Sequence, residues 1–139
     1  MSARGFVHHI DLTVTDTLRS RVFYDAVLGF LGYRRSADYE HGSDWDREGA
    51  PFHSIGILQA RGVGAQRIHD RYSPGLHHLA WTAESRADVD ALHDLLRSIG
   101  ATILDAPADY PRYGSTYYAL FFADPDGLKL EYVFGATGV

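Results

Sequence analysis

The sequence predicts an α+β fold in which two βαβββ modules form a curved, incomplete barrel with the helices on the outside. Two segments of the chain each have the pattern of a strand, a helix and then several strands. A constant shift along the sequence places the first segment on the second, so that His9 meets His78 and the two helices end together. With 139 residues, we expect a single domain over 1–139, its modules spanning about 5–68 and about 72–135.

The first module begins with an alternating apolar pattern that predicts a strand over 6–14. Asp16 or Thr17 can cap the helix that follows, and Gly29 and Gly32 end it. The apolar stripe of this helix consists of Leu18, Val22, Ala26 and Phe30. Three strand-like runs complete the module, at 33–39, around Trp45 and at 52–60.

The second module repeats this order after a connector, 61–74, that is rich in glycine and charge. Alternation predicts a strand over 76–83, and Ser85 with Asp88 resembles a capping box for the next helix. The helix stripe consists of Val89, Leu92, Leu96 and Ile99, with Gly100 where a left-handed cap belongs. Strands follow at 102–106, 115–123 and 128–134, the last two joined by the turn sequence Asp124-Pro125-Asp126-Gly127.

The composition is that of an ordinary globular protein, with 45% hydrophobic and 22% charged residues. The net charge of −5 and the lack of a lysine or arginine run argue against nucleic acid as a partner. No apolar run approaches the ~18 residues that a membrane-spanning helix needs, so we expect no membrane insertion. The first residues lack the apolar core of a signal peptide, and we therefore expect a cytoplasmic protein.

Histidines are the candidate metal ligands, because the chain has eight of them and no cysteine. Strand alternation puts His9 on the face opposite Ile10, and His78 on the face opposite Leu79. In the last strand, Glu131 lies opposite the apolar face. In a curved sheet these three less apolar faces converge on one cavity.

Two imidazoles and a carboxylate are a competent ligand set for a divalent metal ion such as Zn, Fe, Mn, Ni or Co. Such a set leaves coordination positions open for water or substrate. The alternative is that the two histidines are simply solvated on polar strand faces and that Glu131 faces water. The symmetric placement of His9 and His78 favours the metal site.

Three stretches carry a family resemblance, namely HIDLTV at 9–14, GLHHLAW at 75–81 and FADPDGLKLE at 122–131. On these motifs the chain resembles the vicinal oxygen chelate superfamily. That superfamily includes glyoxalase I, fosfomycin-resistance proteins, extradiol dioxygenases, methylmalonyl-CoA epimerase and bleomycin-resistance proteins. The resemblance covers about 7–134, nearly the whole chain, with the stretches in the family's order.

The resemblance implies a metal site. In the metal-dependent members, a first-strand histidine, a second-module histidine and a last-strand glutamate bind the ion, which implies His9, His78 and Glu131 here. The family's spacing selects these two histidines over His8 and His77. We expect His8 and His77 on the helix-facing side, as core histidines or as histidines that contact the ligands rather than the metal.

The last strand of the first module departs from one family pattern. Glyoxalase I takes a fourth ligand, a glutamate, from this strand, whereas residues 52–60 contain no carboxylate. Gln59 and His53 are the candidates for a fourth ligand or a pocket position, and the alternative is that neither touches the metal. The catalytic base is unknown, and a glyoxalase I activity is therefore less favoured than other chemistry of the superfamily.

Further pocket candidates come from a tyrosine-rich loop before the last hairpin. Tyr113 and Tyr117 are candidates to donate to a substrate oxygen, and Arg112 to hold an anion. Trp45 and Phe52 are candidates for the pocket wall on the first-module side. The alternative is that these aromatic residues pack together and cap the barrel.

Two functions follow from the resemblance. The first is a metal-dependent enzyme in which a divalent cation chelates neighbouring oxygens of a small substrate, with dioxygenase-, lyase- or transferase-type chemistry. The alternative is a metal-free, bleomycin-resistance-type protein that binds a small-molecule drug, favoured by the nine tyrosines and two tryptophans. In both cases we expect a homodimer, because short members of the superfamily generally pair.

Overall fold

The computed structural model describes residues 2–135, and the chain divides between Arg67 and Ile68 into two compact units. The first unit contains β1 (His9–Val14), α1 (Thr17–Phe30), β2 (Arg34–Tyr39), β3 (Gly42–Arg47) and β4 (His53–Gln59). A short 3₁₀ turn at Gly62–Gly64 follows β4. The second unit contains β5 (His78–Thr82), α2 (Arg86–Ser98), β6 (Thr102–Asp109), β7 (Tyr118–Ala123) and β8 (Lys129–Phe134).

The two units have the same topology. Their sheets run in the orders β1-β4-β3-β2 and β5-β8-β7-β6, so the first and last strands of each unit are neighbours. That pair is parallel in both units, and the other pairs are antiparallel. Each helix packs on its own sheet. The predicted α+β class and the duplicated βαβββ order are therefore confirmed. Among residues 2–135, no helix has the length and apolar character needed to cross a bilayer.

The apolar stripe predicted for α1 is wrong. Leu18 and Val22 are 70% and 71% exposed, and the helix instead turns another face to the sheet. The buried residues of α1 are Ser20, Phe23, Tyr24, Val27 and Leu28. The physical reason is that Tyr24 packs near the ring of Trp45, which is 1% exposed, and Trp45 Nε1 donates to Asp25 Oδ1 at 2.9 Å. The cap is as predicted, since Asp16 accepts hydrogen bonds from the amides of residues 18 and 19.

Helix α2 agrees more closely with its prediction. Val89, Leu92 and Leu96 are fully buried, whereas Ile99 is 41% exposed at the end of the helix. Ser85 Oγ accepts from the Asp88 amide at 3.0 Å, as expected for a capping residue. The Asp88 carboxylate accepts from the amide of residue 84 rather than from that of Ser85. Gly100 has φ +70, which is the left-handed conformation predicted for it.

Tyr132 ties the last strand to the start of α2. It is 5% exposed, and its hydroxyl donates to Asp88 Oδ2 at 2.6 Å. Burial, followed by this hydrogen bond and the charge of Asp88, raises the pKa of Tyr132 above its ordinary value. The phenol is therefore held in its neutral form in the folded protein.

This raised pKa predicts a loss of stability in alkali. Above about pH 10, tyrosines of the unfolded chain lose their protons while Tyr132 of the folded protein keeps its own. The folded state then binds more protons, so the free energy of unfolding falls as the pH rises from that point through the folded-state pKa. We expect a shallower fall in Tyr132→Phe, measured by urea unfolding at several alkaline pH values. Tyr72→Phe, at a 79% exposed tyrosine, should keep the wild-type slope, and equal slopes in all three proteins would contradict the prediction.

Candidate metal centre

Glu131 is a buried carboxylate on the second sheet. Its strand, β8, lies between β5 and β7, where Glu131 is paired in register with Ala80 on one side and Phe121 on the other. It is 3% exposed, among the few charged residues buried in the described part of the chain. Carboxylates are rarely buried without partners, because the loss of hydration is expensive. The partners of Glu131 therefore define the site.

One of these partners is His78, the first residue of β5. Its Nε2 lies 3.2 Å from Glu131 Oε1, and its side chain is 35% exposed while that of Glu131 is 3% exposed. A metal ion bound to one nitrogen and one oxygen at about 2.0–2.2 Å separates these atoms by about 2.8–3.5 Å, for angles between a right angle and the tetrahedral angle. The observed separation fits two ligands of one ion. It equally fits an Nε2–H that donates to the carboxylate.

The other partner of Glu131 is Tyr117, whose hydroxyl donates to Oε2. Burial raises the pKa of Tyr117 first, and the bond to Glu131 raises it further. Tyr117 therefore stays a neutral donor at any physiological pH. Both oxygens of Glu131 have a polar contact, one on each side of the carboxylate.

Aromatic residues lie beside Glu131, since Phe121 is its register partner on β7 and Tyr117 donates to its carboxylate. Ala119, Phe121 and Val133 form a buried cluster, against which Tyr110 and Tyr117 pack. The rings of Tyr110 and Phe121 form a T-shaped pair with centroids 5.5 Å apart, and burial raises the pKa of Tyr110. This wall lowers the local polarity, which strengthens electrostatic interactions at Glu131.

Tyr113 and Arg112 lie at the exposed end of the aromatic group. Tyr113 is 49% exposed, and its ring lies 5.3 Å from that of Tyr117. The Arg112 guanidinium sits 4.8 Å from the centroid of the Tyr113 ring, and its side chain is exposed. These two predicted pocket residues are thus connected to Glu131 through Tyr117.

The third predicted ligand, His9, is the first residue of β1 in the first unit and is exposed. Its Nδ1 lies 3.0 Å from Nδ1 of His8, and the His8 ring contacts Phe52 with centroids 5.1 Å apart. Within residues 2–135, no three or more histidine, aspartate or glutamate side chains form a cluster that could hold a metal ion. The structure thus brings together His78 and Glu131 as a pair.

The proposed fourth-ligand positions have other partners. His53 Nδ1 is 2.6 Å from the hydroxyl of Tyr33, and burial lowers the pKa of His53, helped by the charge of Arg47. Gln59 Oε1 accepts from the Thr17 amide at 3.2 Å, and its Nε2 donates to the carbonyl of Thr15 at 2.7 Å. The side-chain amide of Gln59 thus fastens the end of β4 to the start of α1.

Trp45 and Phe52, the two predicted wall residues, differ in their surroundings. Trp45 lies in the core of the first unit, so it forms no open pocket surface there. Phe52 is 36% exposed and contacts His8. His8 and His77 are both exposed, so the prediction that they are core histidines is wrong. They do contact the predicted ligands His9 and His78, which was the other expectation for them.

The sequence prediction missed the hydrogen bond between Tyr117 and Glu131 and the direct contact of ring nitrogens within each histidine doublet. Nδ1 of His77 lies 2.8 Å from Nδ1 of His78, and Nδ1 of His8 lies 3.0 Å from Nδ1 of His9. One sequence feature could have indicated the contact within each doublet: a histidine doublet recurs at the equivalent position when the first module is aligned with the second. No sequence pattern indicated the first, because it joins a loop to a strand.

The duplicated βαβββ fold, with a histidine beside a buried carboxylate on its second sheet, defines a class that the comparisons identify. The family model of the Glyoxalase/Bleomycin resistance protein/Dioxygenase superfamily matches residues 6–132. The uncharacterized protein YqjT of Bacillus subtilis is 34% identical over 127 residues, which cover 91% of this chain and 97% of that protein. The chain therefore belongs to the glyoxalase/bleomycin resistance protein/dioxygenase superfamily.

Solved structures agree with this assignment. A candidate glyoxalase from Bacillus halodurans superposes with a TM-score of 0.80 at 30% identity, over 94% of this chain and 96% of that one. The fosfomycin resistance protein FosX of Listeria monocytogenes has a TM-score of 0.71 at 16% identity, covering 95% and 94% of the two chains. Lactoylglutathione lyase of Agrobacterium tumefaciens has a TM-score of 0.68 at 16% identity and covers 96% of both. At that identity the last two share the fold alone.

Proposed function

We propose that the protein is a metal-dependent enzyme of this superfamily, in which neighbouring oxygens of a small substrate chelate a divalent cation. The observation that carries the proposal is the pair formed by His78 Nε2 and Glu131 Oε1, 3.2 Å apart, with the carboxylate 3% exposed. A buried carboxylate that faces one imidazole nitrogen is a ready donor pair for a divalent ion. Zn, Fe, Mn, Ni and Co all accept such nitrogen and oxygen ligands.

The third ligand in this proposal is His9. It holds the same register position in the first unit as His78 in the second, each being the first residue of a strand that pairs in parallel with the last strand of its unit. His9, His78 and Glu131 would hold the ion, which would supply Lewis acidity to stabilise negative charge on a substrate oxygen.

The other residues of the site orient the substrate and exclude water. Tyr117 holds Glu131 in place through its hydroxyl, and its ring and that of Tyr110 shield the carboxylate. Arg112 and Tyr113, at the exposed end, would hold an anionic or polar part of the substrate, and the contact between the Arg112 guanidinium and the Tyr113 ring supports this role. Chemistry of the dioxygenase, lyase or transferase type is compatible with this arrangement. A glyoxalase I activity is less favoured, because the amide of Gln59 is engaged by backbone groups and β4 has no carboxylate.

Glu131→Gln should lower the affinity for the metal by at least about 100-fold. Loss of a residue that hydrogen-bonds to a metal ligand lowers affinity by about 10–100-fold, and loss of a ligand itself should have at least as large an effect. The measurement is titration of Zn²⁺, Mn²⁺, Ni²⁺, Co²⁺ and, without oxygen, Fe²⁺ into chelator-stripped protein. Glu40→Gln is the matched control, since the side chain of Glu40 is 87% exposed and it should bind as the wild type does. Circular dichroism of both variants checks that they are folded.

The opposite result would identify the alternative function. If wild-type protein binds none of these ions, and an aromatic cationic drug stays bound in excess chelator, the protein is a metal-free small-molecule binder. Equal metal affinity in wild type and Glu131→Gln would instead show that the ion binds elsewhere. Both outcomes contradict the proposal.

A further inference from the structure

The contact between the two histidines of each doublet has no role in the site described so far. Nδ1 of His77 lies 2.8 Å from Nδ1 of His78, with the ring planes at 76°. Nδ1 of His8 lies 3.0 Å from Nδ1 of His9, with the planes at 86°. At such a distance one nitrogen carries the proton and the other accepts it, since two N–H groups or two lone pairs would repel each other.

We propose that His77 and His8 are positioning residues, each accepting a hydrogen bond from Nδ1–H of the adjacent metal ligand. This fixes His78 and His9 as the tautomer that turns its Nε2 lone pair to the metal. The inference rests on the proposed function, because it assigns a task to the neighbours of two proposed ligands. The partner of the second ring nitrogen commonly sets tautomer and orientation in metal-binding histidines.

The geometry at His78 supports this role. Its Nε2 faces Glu131 Oε1, so Nδ1 is the ring nitrogen left to be satisfied, and Nδ1 of His77 is the atom that contacts it. Without metal, Nε2–H of His78 donates to Glu131, and His77 donates to Nδ1. With metal, Nε2 must carry a lone pair, so His78 donates from Nδ1 and His77 accepts. A histidine at position 77 suits both the metal-free and the metal-bound state, because one of its neutral tautomers has a donor N–H at Nδ1 and the other has an acceptor lone pair there.

The placement of the doublets explains how neighbouring rings can meet. Successive side chains of a regular strand point to opposite faces. His8 and His77 stand just before the first residues of β1 and β5, where the strand geometry has not begun. Each is contacted by an aromatic ring, His8 by Phe52 with centroids at 5.1 Å and His77 by Tyr72 at 5.7 Å. A histidine doublet with one aromatic contact thus occurs in both units, the ring coming from Phe52 before β4 in the first and from Tyr72 before β5 in the second.

The test compares His77→Leu with His77→Asn in the full-length protein. Asparagine keeps an acceptor near the position of Nδ1, whereas leucine fills similar space without one. We expect Zn²⁺ affinity to fall about 10–100-fold in His77→Leu and to be largely restored in His77→Asn. The same pair of substitutions at His41, whose side chain is 73% exposed, is the matched control and should change nothing.

A spectroscopic measurement on the wild type makes the test independent of any variant. Nitrogen-15 NMR of the zinc-loaded protein should show His78 protonated at Nδ1 and His77 carrying a lone pair at Nδ1. Tight Zn²⁺ binding with His78 protonated at Nε2, or with equal affinity in wild type and His77→Leu, overturns this inference and leaves the proposed function standing. Absence of metal binding by the wild type overturns both.

Discussion

Replacement of Leu28 by alanine should lower the free energy of unfolding by about 2–5 kcal/mol, whereas Leu18→Ala should change it by no more than about 0.5 kcal/mol. Both leucines belong to α1, but Leu28 is fully buried and Leu18 is 70% exposed. Truncation at Leu28 removes apolar contacts and leaves a cavity against the first sheet. Truncation at Leu18 removes only a side chain that water already surrounds. Urea unfolding followed by circular dichroism measures the difference.

The two variants control for each other. The same side chain is removed from the same helix, so the change in intrinsic helix propensity is similar in both. Equal losses, or a larger loss in Leu18→Ala, would mean that α1 presents the face predicted from the sequence rather than the face observed here. Leu92→Ala in α2 provides a second reference, since Leu92 is fully buried and was predicted to be.

The contrast between α1 and α2 shows what periodicity can and cannot predict. In α2 the apolar residues fall on one side and charged residues on the other, so the stripe of Val89, Leu92 and Leu96 is unambiguous. Helix α1 has apolar residues on more than one side, and periodicity indicates a helix without deciding which side is buried. Packing of Tyr24 near Trp45 and the hydrogen bond from Trp45 Nε1 to Asp25 determine which side of α1 is buried. These are tertiary contacts that a local pattern does not contain.

The strands were predicted more fully than the helix faces. The repeat in the sequence predicts the same order of elements twice, and both units have it. The parallel pairing of the first and last strands of each unit was not predicted. The errors lie at strand ends. Strand β6 continues to Asp109 through two register irregularities, and β7 starts at Tyr118 rather than at 115. Bulges and loop closures depend on the partner strand, which explains why alternation alone misplaced them.

For Glu131 the sequence indicated a face of the strand but not the surroundings of the side chain. Alternation placed Glu131 on the less apolar face of its strand, where the default expectation is exposure to water. It is instead 3% exposed, because the Tyr117 hydroxyl and the neighbouring Phe121 cover it. The hydrogen bonds of Gln59 were equally hidden, since they join residues on separate elements. Chemistry-bearing residue types can be read from sequence, whereas their partners require the fold.

His9→Ala should lower the affinity for Zn²⁺ or Co²⁺ by at least about 100-fold, as large an effect as the loss of Glu131. In the proposed site, His78 and Glu131 supply one nitrogen and one oxygen, and two protein ligands alone would hold a divalent ion weakly. Catalytic zinc sites take three protein ligands and keep one position open. Because His9 repeats the position and ring contact of His78, it is the residue from which the third bond is expected. Competition with a chromophoric chelator measures the affinity, and Co²⁺ absorption reports the loss of a nitrogen ligand.

His53→Ala is the matched control for this prediction. His53 also belongs to the first unit, but its Nδ1 is engaged by the hydroxyl of Tyr33, so we expect its loss to leave the metal affinity within about threefold of the wild type. If His9→Ala binds the ion as tightly as the wild type while Glu131→Gln does not, the third ligand comes from another group. If His53→Ala loses affinity as His9→Ala does, the first unit contributes two ligands. The effects of His9→Ala and His78→Ala should be similar in size, since the repeat gives the two histidines equivalent positions.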